Sequence, residues 1–266
     1  MKIFIDWCHS SIFSSPSGVW KHSSLEECDL IISIDCQKKY DKNVTKILWL
    51  YEPYSISTKI GCNEGKSSYT MDYGLYDYIA THHRTSRFSK SKTIYMDPYL
   101  SSWIHINQQS IYTKSKNISM ICSNKNMCQE HDYRLKTKDF LSKKINIDVY
   151  GKGFKEIQDK IIGLQNYRFS VAMENDISYG YYSEKILDCF LTGTIPIYYG
   201  SQYVYDIFDK NGIIDLKYFI ENISTFDYSF EYDKRIDAIQ NNFNIAKTKD
   251  KCFAYGIDFI LQEIKK

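Results

Sequence analysis

The sequence predicts an α/β protein built on parallel sheets, and three observations lead there. Residues 166–201, NYRFSVAMENDISYGYYSEKILDCFLTGTIPIYYGS, hold a strand, a polar loop, a helix and a second strand within about thirty residues, which makes a βαβ unit. The first half of the chain alternates short apolar runs with polar loops, the pattern of a small parallel sheet. At 266 residues the chain has length for two domains of ordinary size, or for one large α/β domain, with a real core.

In the first half the expected strands are 2–5, 30–34, 47–51, 76–80 and 93–96. The stretch 108–116, QQSIYTKSK, is polar and weakly patterned, the best candidate for an interdomain linker, and it predicts domains at 1–113 and 114–266. A strand at 118–123 opens the second half. A helix at 133–143, a strand at 145–150 and a helix near 154–164 follow. In the βαβ unit, Phe169, Val171 and Met173 alternate with polar or small residues, the period of a strand with one face on a core. From Ser183 the period becomes helical: Ile186, Leu187, Phe190 and Leu191 share a face, Ser183 is the expected cap and Gly193 the expected stop. The strand 194–199 comes next, and two terminal helices are expected near 233–246 and 252–264. No internal repeat, coiled coil or low-complexity tract interrupts this order.

Composition excludes several function classes. Lys and Arg number 34 against 32 Asp and Glu, a net charge of +2, so no strong field points to nucleic acid or to an anionic membrane. The 24 tyrosines, with many Lys, Ile and Asn, read first as the codon bias of an AT-rich genome. Eight cysteines, Cys8, Cys28, Cys36, Cys62, Cys122, Cys128, Cys189 and Cys252, are scattered, with no C-x2-C pair and no His at zinc-finger spacing, which is the usage of reduced thiols. The start, MKIFIDWCHSSIF, carries Lys2 and Asp6 inside its short apolar run and reads as neither a signal peptide nor a membrane span. A cytoplasmic protein with no integral membrane segment is expected. The Asn-x-Ser/Thr triplets at Asn43, Asn117 and Asn222 therefore carry little weight as glycosylation sites.

The loop between strand and helix holds the chemistry. It leaves the carboxyl end of the first strand, where open α/β sheets bind ligands, and it places Asn175, Tyr181, Glu184 and Lys185 around a helix amino terminus that favours an anion such as phosphate. A Glu is favoured in a first helical turn, whereas Lys185 gains nothing from the dipole there and implies a neighbouring anion. The bland alternative is a solvated first turn, and Asn175 and Tyr181 read equally well as a turn residue and a packed aromatic.

The pattern E-N-x5-Y-x-[ST]-E-K-I-x-D, followed by G-T-x-P-x-Y-x-G, closely resembles the signature of the α-1,3/1,4-fucosyltransferases, glycosyltransferase family 10. Asn175, Tyr181, Glu184 and Lys185 fall at the family spacing without a gap, and Gly193, Thr194, Pro196 and Gly200 agree as well. Met173 stands where an aromatic residue is usual, and Tyr182-Ser183 replaces the commoner Val-Thr. The resemblance implies a GT-B fold: two Rossmann-like domains facing each other across a cleft, the first on the acceptor side and the second holding the nucleotide sugar. It also implies an inverting transfer of L-fucose from GDP-fucose to a hydroxyl of a glycan acceptor.

Glycosyltransferases of the other main architecture hold a divalent metal on Asp-x-Asp, and no two aspartates here stand two positions apart. No metal or other cofactor is expected, so side chains and amides must neutralise the diphosphate, Lys185 first and Arg134 second. Arg134 lies in SNKNMCQEHDYRLKTKDFL, which resembles, more loosely, a family segment that begins Ser-Asn and places an Arg seven residues before a helical Leu, here Leu141. A planar guanidinium suits phosphate oxygens; the bland alternative is an exposed helix Arg. Glu184 then accepts hydrogen bonds from donor hydroxyls or lends charge to an oxocarbenium-like transition state.

Inversion needs a carboxylate that takes the acceptor proton. Glu52 in KILWLYEPYS ends an apolar strand, resembles the family's aromatic-Glu-x-Pro pattern, and is expected to be partly desolvated behind Trp49 and Tyr51. Its bland reading is a turn Glu before Pro53. His82 and His83 in YDYIATHHR are a poor metal pair, because adjacent strand residues point to opposite faces, and stay outside the site. A transferase using another nucleotide sugar, or a noncatalytic nucleotide-sugar or glycan-binding protein, are the alternatives; Glu52 favours an enzyme, since a binding module needs no such base.

Overall fold

A computed structural model describes residues 1–7, 15–53, 56, 72–84, 92–98 and 101–266 of the chain. Cys8, Cys62 and the Tyr54-Ser55 end of the Glu52 segment lie outside the described residues. The chain forms two compact units: Met1–Tyr99 with Tyr179–Tyr181 and Lys251–Lys266, and Leu100–Ser178 with Tyr182–Asp250.

In the first unit, strands β1 (Lys2–Asp6), β2 (Lys21–His22), β3 (Leu30–Ile34), β4 (Thr45–Leu50), β5 (Tyr78–Thr81) and β6 (Thr93–Tyr95) form a sheet of order β2-β1-β3-β4-β5-β6. Every pairing among them is parallel. Register sets Ile5 against Ile32 and Ile32 against Ile47, so aliphatic side chains line up across three strands. β3 is buried along its whole length, as a strand covered on both faces must be.

The terminal helix Phe253–Glu263 belongs to this unit, a departure from the single division at 113/114. Its buried Phe253, Ile257, Ile260 and Leu261 form one apolar stripe. Phe253 stacks at 4.3 Å on Trp49 and at 4.9 Å on Trp7, and Asp258 accepts the Trp20 indole N–H at 2.7 Å. Contacts this distant in sequence leave no mark on local pattern.

In the second unit, β7 (Lys116–Ile121), β8 (Asp148–Tyr150), β9 (Tyr167–Met173), β10 (Ile195–Tyr199) and β11 (Ile214–Asp215) form a parallel sheet of order β11-β10-β9-β7-β8. Its helices are α1 (Gln129–Lys144), α2 (Glu184–Phe190), α3 (Val204–Ile207), α4 (Leu216–Glu221), α5 (Tyr228–Asp233) and α6 (Ile236–Lys249). β9 is buried on both faces rather than one: its small Ser170 and Ala172 are as enclosed as Phe169 and Val171, and Ser170 meets Ser119 Oγ at 3.1 Å. The helix expected near 154–164 is only the 3-10 turn Lys160–Gly163, where Asp159 caps Ile161 N–H at 2.9 Å. Gly163 approaches Ile121 so closely that a Cβ would lie 2.9 Å from its Cδ1, which holds this segment tight against β7.

α1 starts at Gln129, four residues before the expected 133, because its inward face carries His131, Arg134 and Thr137 ahead of Leu141. Polar residues on the buried stripe hide a helix from any search for apolar periodicity. At α2 the expectations hold: Ser183 is the N-cap, and Gly193 takes φ 67° two residues beyond the C-cap, Leu191.

Candidate functional site

In the second sheet the chain runs from β7 out to β8 and then crosses back over β7 to β9, so the connections of the adjacent strands β7 and β9 leave in opposite directions. That is the topological switch point, where open parallel sheets bind ligands beyond the carboxyl ends of their strands. The loops after β7 and β9 lead into the amino termini of α1 and α2, and the predicted donor-binding residues Arg134, Asn175, Glu184 and Lys185 stand on or beside them.

Arg134 ties the two loops together. It is 5 % exposed; Nη1 donates to Asn175 Oδ1 at 3.2 Å, and Nη2 to the carbonyls of Ser123 and Lys125 at 3.3 and 3.2 Å. Its Nε–H is buried without a partner. Cys128, the N-cap of α1, makes no side-chain cap bond, so the amino terminus of a sixteen-residue helix stays open beside this guanidinium. His131 lies there too: its Nδ1 accepts the Met127 N–H at 3.1 Å, and burial, with the Arg134 charge, holds it neutral down to about 4. The exposed helix Arg of the bland reading is therefore ruled out.

Lys185 sits in a different knot. Its Nζ donates to Glu174 Oε2 at 3.0 Å and to Ser183 Oγ at 3.1 Å. The Glu174 carboxylate, fully enclosed, also accepts Ser183 N–H at 2.9 Å and Ser183 O–H at 2.6 Å. Lys185 remains 20 % exposed, so an ammonium with three donors reaches the surface already anchored on its inner side. The cation at a helix start thus has a protein counter-ion, Glu174, which is absent from the expected site residues. Its signal was present in the spacing E-x8-S-x-K.

Glu184 points to Lys160, whose Nζ lies 3.1 Å from its Oε1. Burial raises the Glu184 pKa, but Lys160 and Lys185 outweigh it and bring it to about 2. Tyr181 is grouped with the first unit instead: it is 5 % exposed, and its ring lies 5.3 Å from His82. Gly180, at φ 102°, makes that approach possible, since a Cβ there would meet the His82 carbonyl at 2.1 Å. Tyr181 is thus a packed aromatic.

In the first unit, Glu52 follows β4 and is half-buried. Its N–H and that of Tyr51 donate to the two Asp35 carboxylate oxygens at 2.9 and 2.8 Å. Asp35 is buried and holds φ 51°, a left-handed conformation at the end of β3, and burial together with the Glu52 charge raises its pKa to about 7. His82 and His83 do not point to opposite faces: β5 ends at Thr81, the strand alternation ends with it, and the two rings lie 4.1 Å apart. His82 is buried and pushed far below the usual histidine range by burial, with its Nε2 unpaired. Among the described residues no cluster of three His, Cys, Asp or Glu is arranged to hold a metal ion.

Comparison with known proteins agrees with the fold and the loop pattern. The Alpha-(1,3)-fucosyltransferase FucT of Helicobacter pylori is 31 % identical over 87 residues, 33 % of this chain and 17 % of that protein. The human 4-galactosyl-N-acetylglucosaminide 3-alpha-L-fucosyltransferase 9 is 36 % identical over 91 residues, 33 % of this chain and 24 % of that protein. The matched stretches thus span less than a quarter of the length of these curated relatives. A crystal structure of alpha1,3-fucosyltransferase with GDP-fucose superposes with a TM-score of 0.56 at 15 % identity, covering 100 % of this chain and 90 % of that one, which shows the shared fold, α/β of GT-B type. Residues 111–244, just over half of the chain, match the profile of Glycosyltransferase family 10 (fucosyltransferase) C-term. This chain belongs to glycosyltransferase family 10.

Proposed function

We propose that the protein is an inverting, metal-independent glycosyltransferase that moves L-fucose from GDP-fucose to a hydroxyl of a glycan acceptor. The observation that carries this is the switch point of the second sheet, where a buried Arg134 with an unpaired Nε–H stands at the open amino terminus of α1. Two N-termini and two cations placed there offer a diphosphate the neutralisation a metal supplies in other transferases. Glu52 takes the proton of the acceptor hydroxyl as that oxygen bonds to the anomeric carbon. The bond from that carbon to the diphosphate oxygen breaks, and GDP leaves with the electron pair, its charge met by Lys185 and Arg134. Glu184 accepts hydrogen bonds from hydroxyls of the donor. Supporting the fucose donor are the family membership and the bound GDP-fucose of a structure with the same fold.

We place the protein in the cytoplasm, on the strength of the free Cys28, Cys122, Cys128, Cys189 and Cys252. Among the described residues no helix is long and apolar enough to cross a membrane. Calorimetric titration with GDP, UDP, dTDP and their sugars tests the donor: GDP and GDP-fucose are expected to bind, and a preference for another nucleotide overturns the assignment. Glu52→Gln is expected to abolish transfer with GDP affinity unchanged; normal turnover by that variant removes Glu52 as the base.

A further inference from the structure

Lys160 lies between two carboxylates of α2. Its Nζ donates to Glu184 Oε1 at 3.1 Å and to Asp188 Oδ2 at 3.0 Å, one helical turn apart. Like charges at that spacing on a helix repel, and a cation placed between them reverses the sign of the interaction. Asp188 is 2 % exposed, and its other oxygen accepts Ser102 O–H at 2.7 Å and Trp103 N–H at 2.8 Å. The Trp103 ring covers Lys160 from the side, with Nζ 5.2 Å from its centroid. Asp188 is therefore locked by the 102–103 segment and Lys160 is held by Asp188 and Trp103, while the Lys160 and Glu184 side chains both still reach solvent, at 24 % and 22 % exposure.

Among the described residues Lys160 is the one side chain that donates to Glu184. A free glutamate in a first helical turn samples several rotamers, and holding one of them removes an ordering cost from any ligand that Glu184 binds. We propose that Lys160 is a positioning residue, which, anchored by Asp188 and the 102–103 segment, fixes the Glu184 carboxylate in the one orientation that accepts the hydroxyls of the nucleotide-sugar donor. The assignment rests on the reading of Glu184 as a donor ligand.

The sequence shows no sign of this. Lys160 lies twenty-four positions before Glu184, in a segment that reads as an ordinary polar helix. Only the 3-10 turn against β7 carries its ammonium to α2.

Lys160→Met alone leaves Asp188 buried without a cation, so the informative variant is Lys160→Met/Asp188→Asn, whose amide oxygen still accepts from Ser102 and Trp103. Donor KM and kcat for GDP-fucose, GDP binding by calorimetry and thermal unfolding are measured for the wild type, this double variant, Lys160→Arg, Glu184→Gln and the triple combination. The double variant is expected to unfold cooperatively, with donor KM raised about tenfold and kcat nearly unchanged. Lys160→Arg is expected to restore most of that loss, and Glu184→Gln to add little in the double background, since both changes act on one carboxylate. A folded double variant with wild-type KM overturns the proposal, as does a full, additive loss in the triple variant. If the wild type binds neither GDP nor GDP-fucose, the donor reading itself falls; if wild-type binding is sound and only the double variant is indifferent, the role of Lys160 alone falls.

Discussion

Replacing Lys185 by Met separates the two jobs that the Glu174–Ser183–Lys185 knot performs. The Glu174 carboxylate is fully enclosed and depends on three donors, of which Lys185 at 3.0 Å is the only charged one. Breaking a buried pair by removing one partner costs about 3 to 5 kcal/mol. Lys185 is still 20 % exposed, and Ser183 continues to donate twice, so the loss of stability should be nearer about 2 to 3 kcal/mol. Glu174→Gln in the same chain removes the stranded charge, keeps an acceptor for Ser183, and should return most of that loss. Affinity for GDP should behave differently. It should fall by about tenfold to a hundredfold in the single and the double variant alike, the worth of one charge-assisted hydrogen bond to phosphate. Urea unfolding with linear extrapolation reads the first quantity and calorimetry with GDP the second. If Glu174→Gln fails to restore stability, the pair is not what the knot contributes. If the double variant binds GDP like the wild type, Lys185 does not meet the diphosphate.

Other substitutions probe the remaining claims. Arg134→Lys keeps the charge but cannot span Asn175, Ser123 and Lys125 at once, so GDP affinity should fall and the loops after β7 and β9 should gain hydrogen exchange; unchanged exchange would count against the tie. Asp35 has a folded pKa raised from 3.8 to about 7, so the stability it contributes is complete below the lower value and is lost as pH rises through the upper one; Asp35→Asn should flatten that decline in unfolding free energy, and an unaltered slope refutes the assignment. Phe253→Ala removes the ring stacked on Trp49 and Trp7 and should cost about 3 to 5 kcal/mol by thermal or urea unfolding, whereas a loss below about 1 kcal/mol would mean the terminal helix is not part of that core. Transfer should persist in EDTA, and strict dependence on added metal would refute cationic side chains as the sole neutralisers of the diphosphate.

Much of the site is legible in the sequence. The change of period at Ser183, the cap itself and Gly193 locate the start of α2 to the residue and its end to within a turn, because capping and left-handed turns are local chemistry. The neighbourhood of Asn175, Glu184 and Lys185 follows from the same local unit. Arg134 is marked by the preceding Ser123-Asn124, while the first turn of the helix that carries it escapes local pattern, since its buried face is polar.

Sequence by itself determined the parallel α/β class, the βαβ unit, the family pattern and the residue types of an anion site, all of which depend on contacts within a few residues or on spacing along one strand, loop and helix. Only the tertiary structure decided which partner each of these side chains meets: Glu174 under Lys185, Lys160 and Asp188 beside Glu184, Asp35 behind Glu52, and Phe253 on Trp49. These partners stand between four and about two hundred residues apart in the chain, and ion pairs and ring stacks at such separations are set by which strands lie side by side, a property that no local period records.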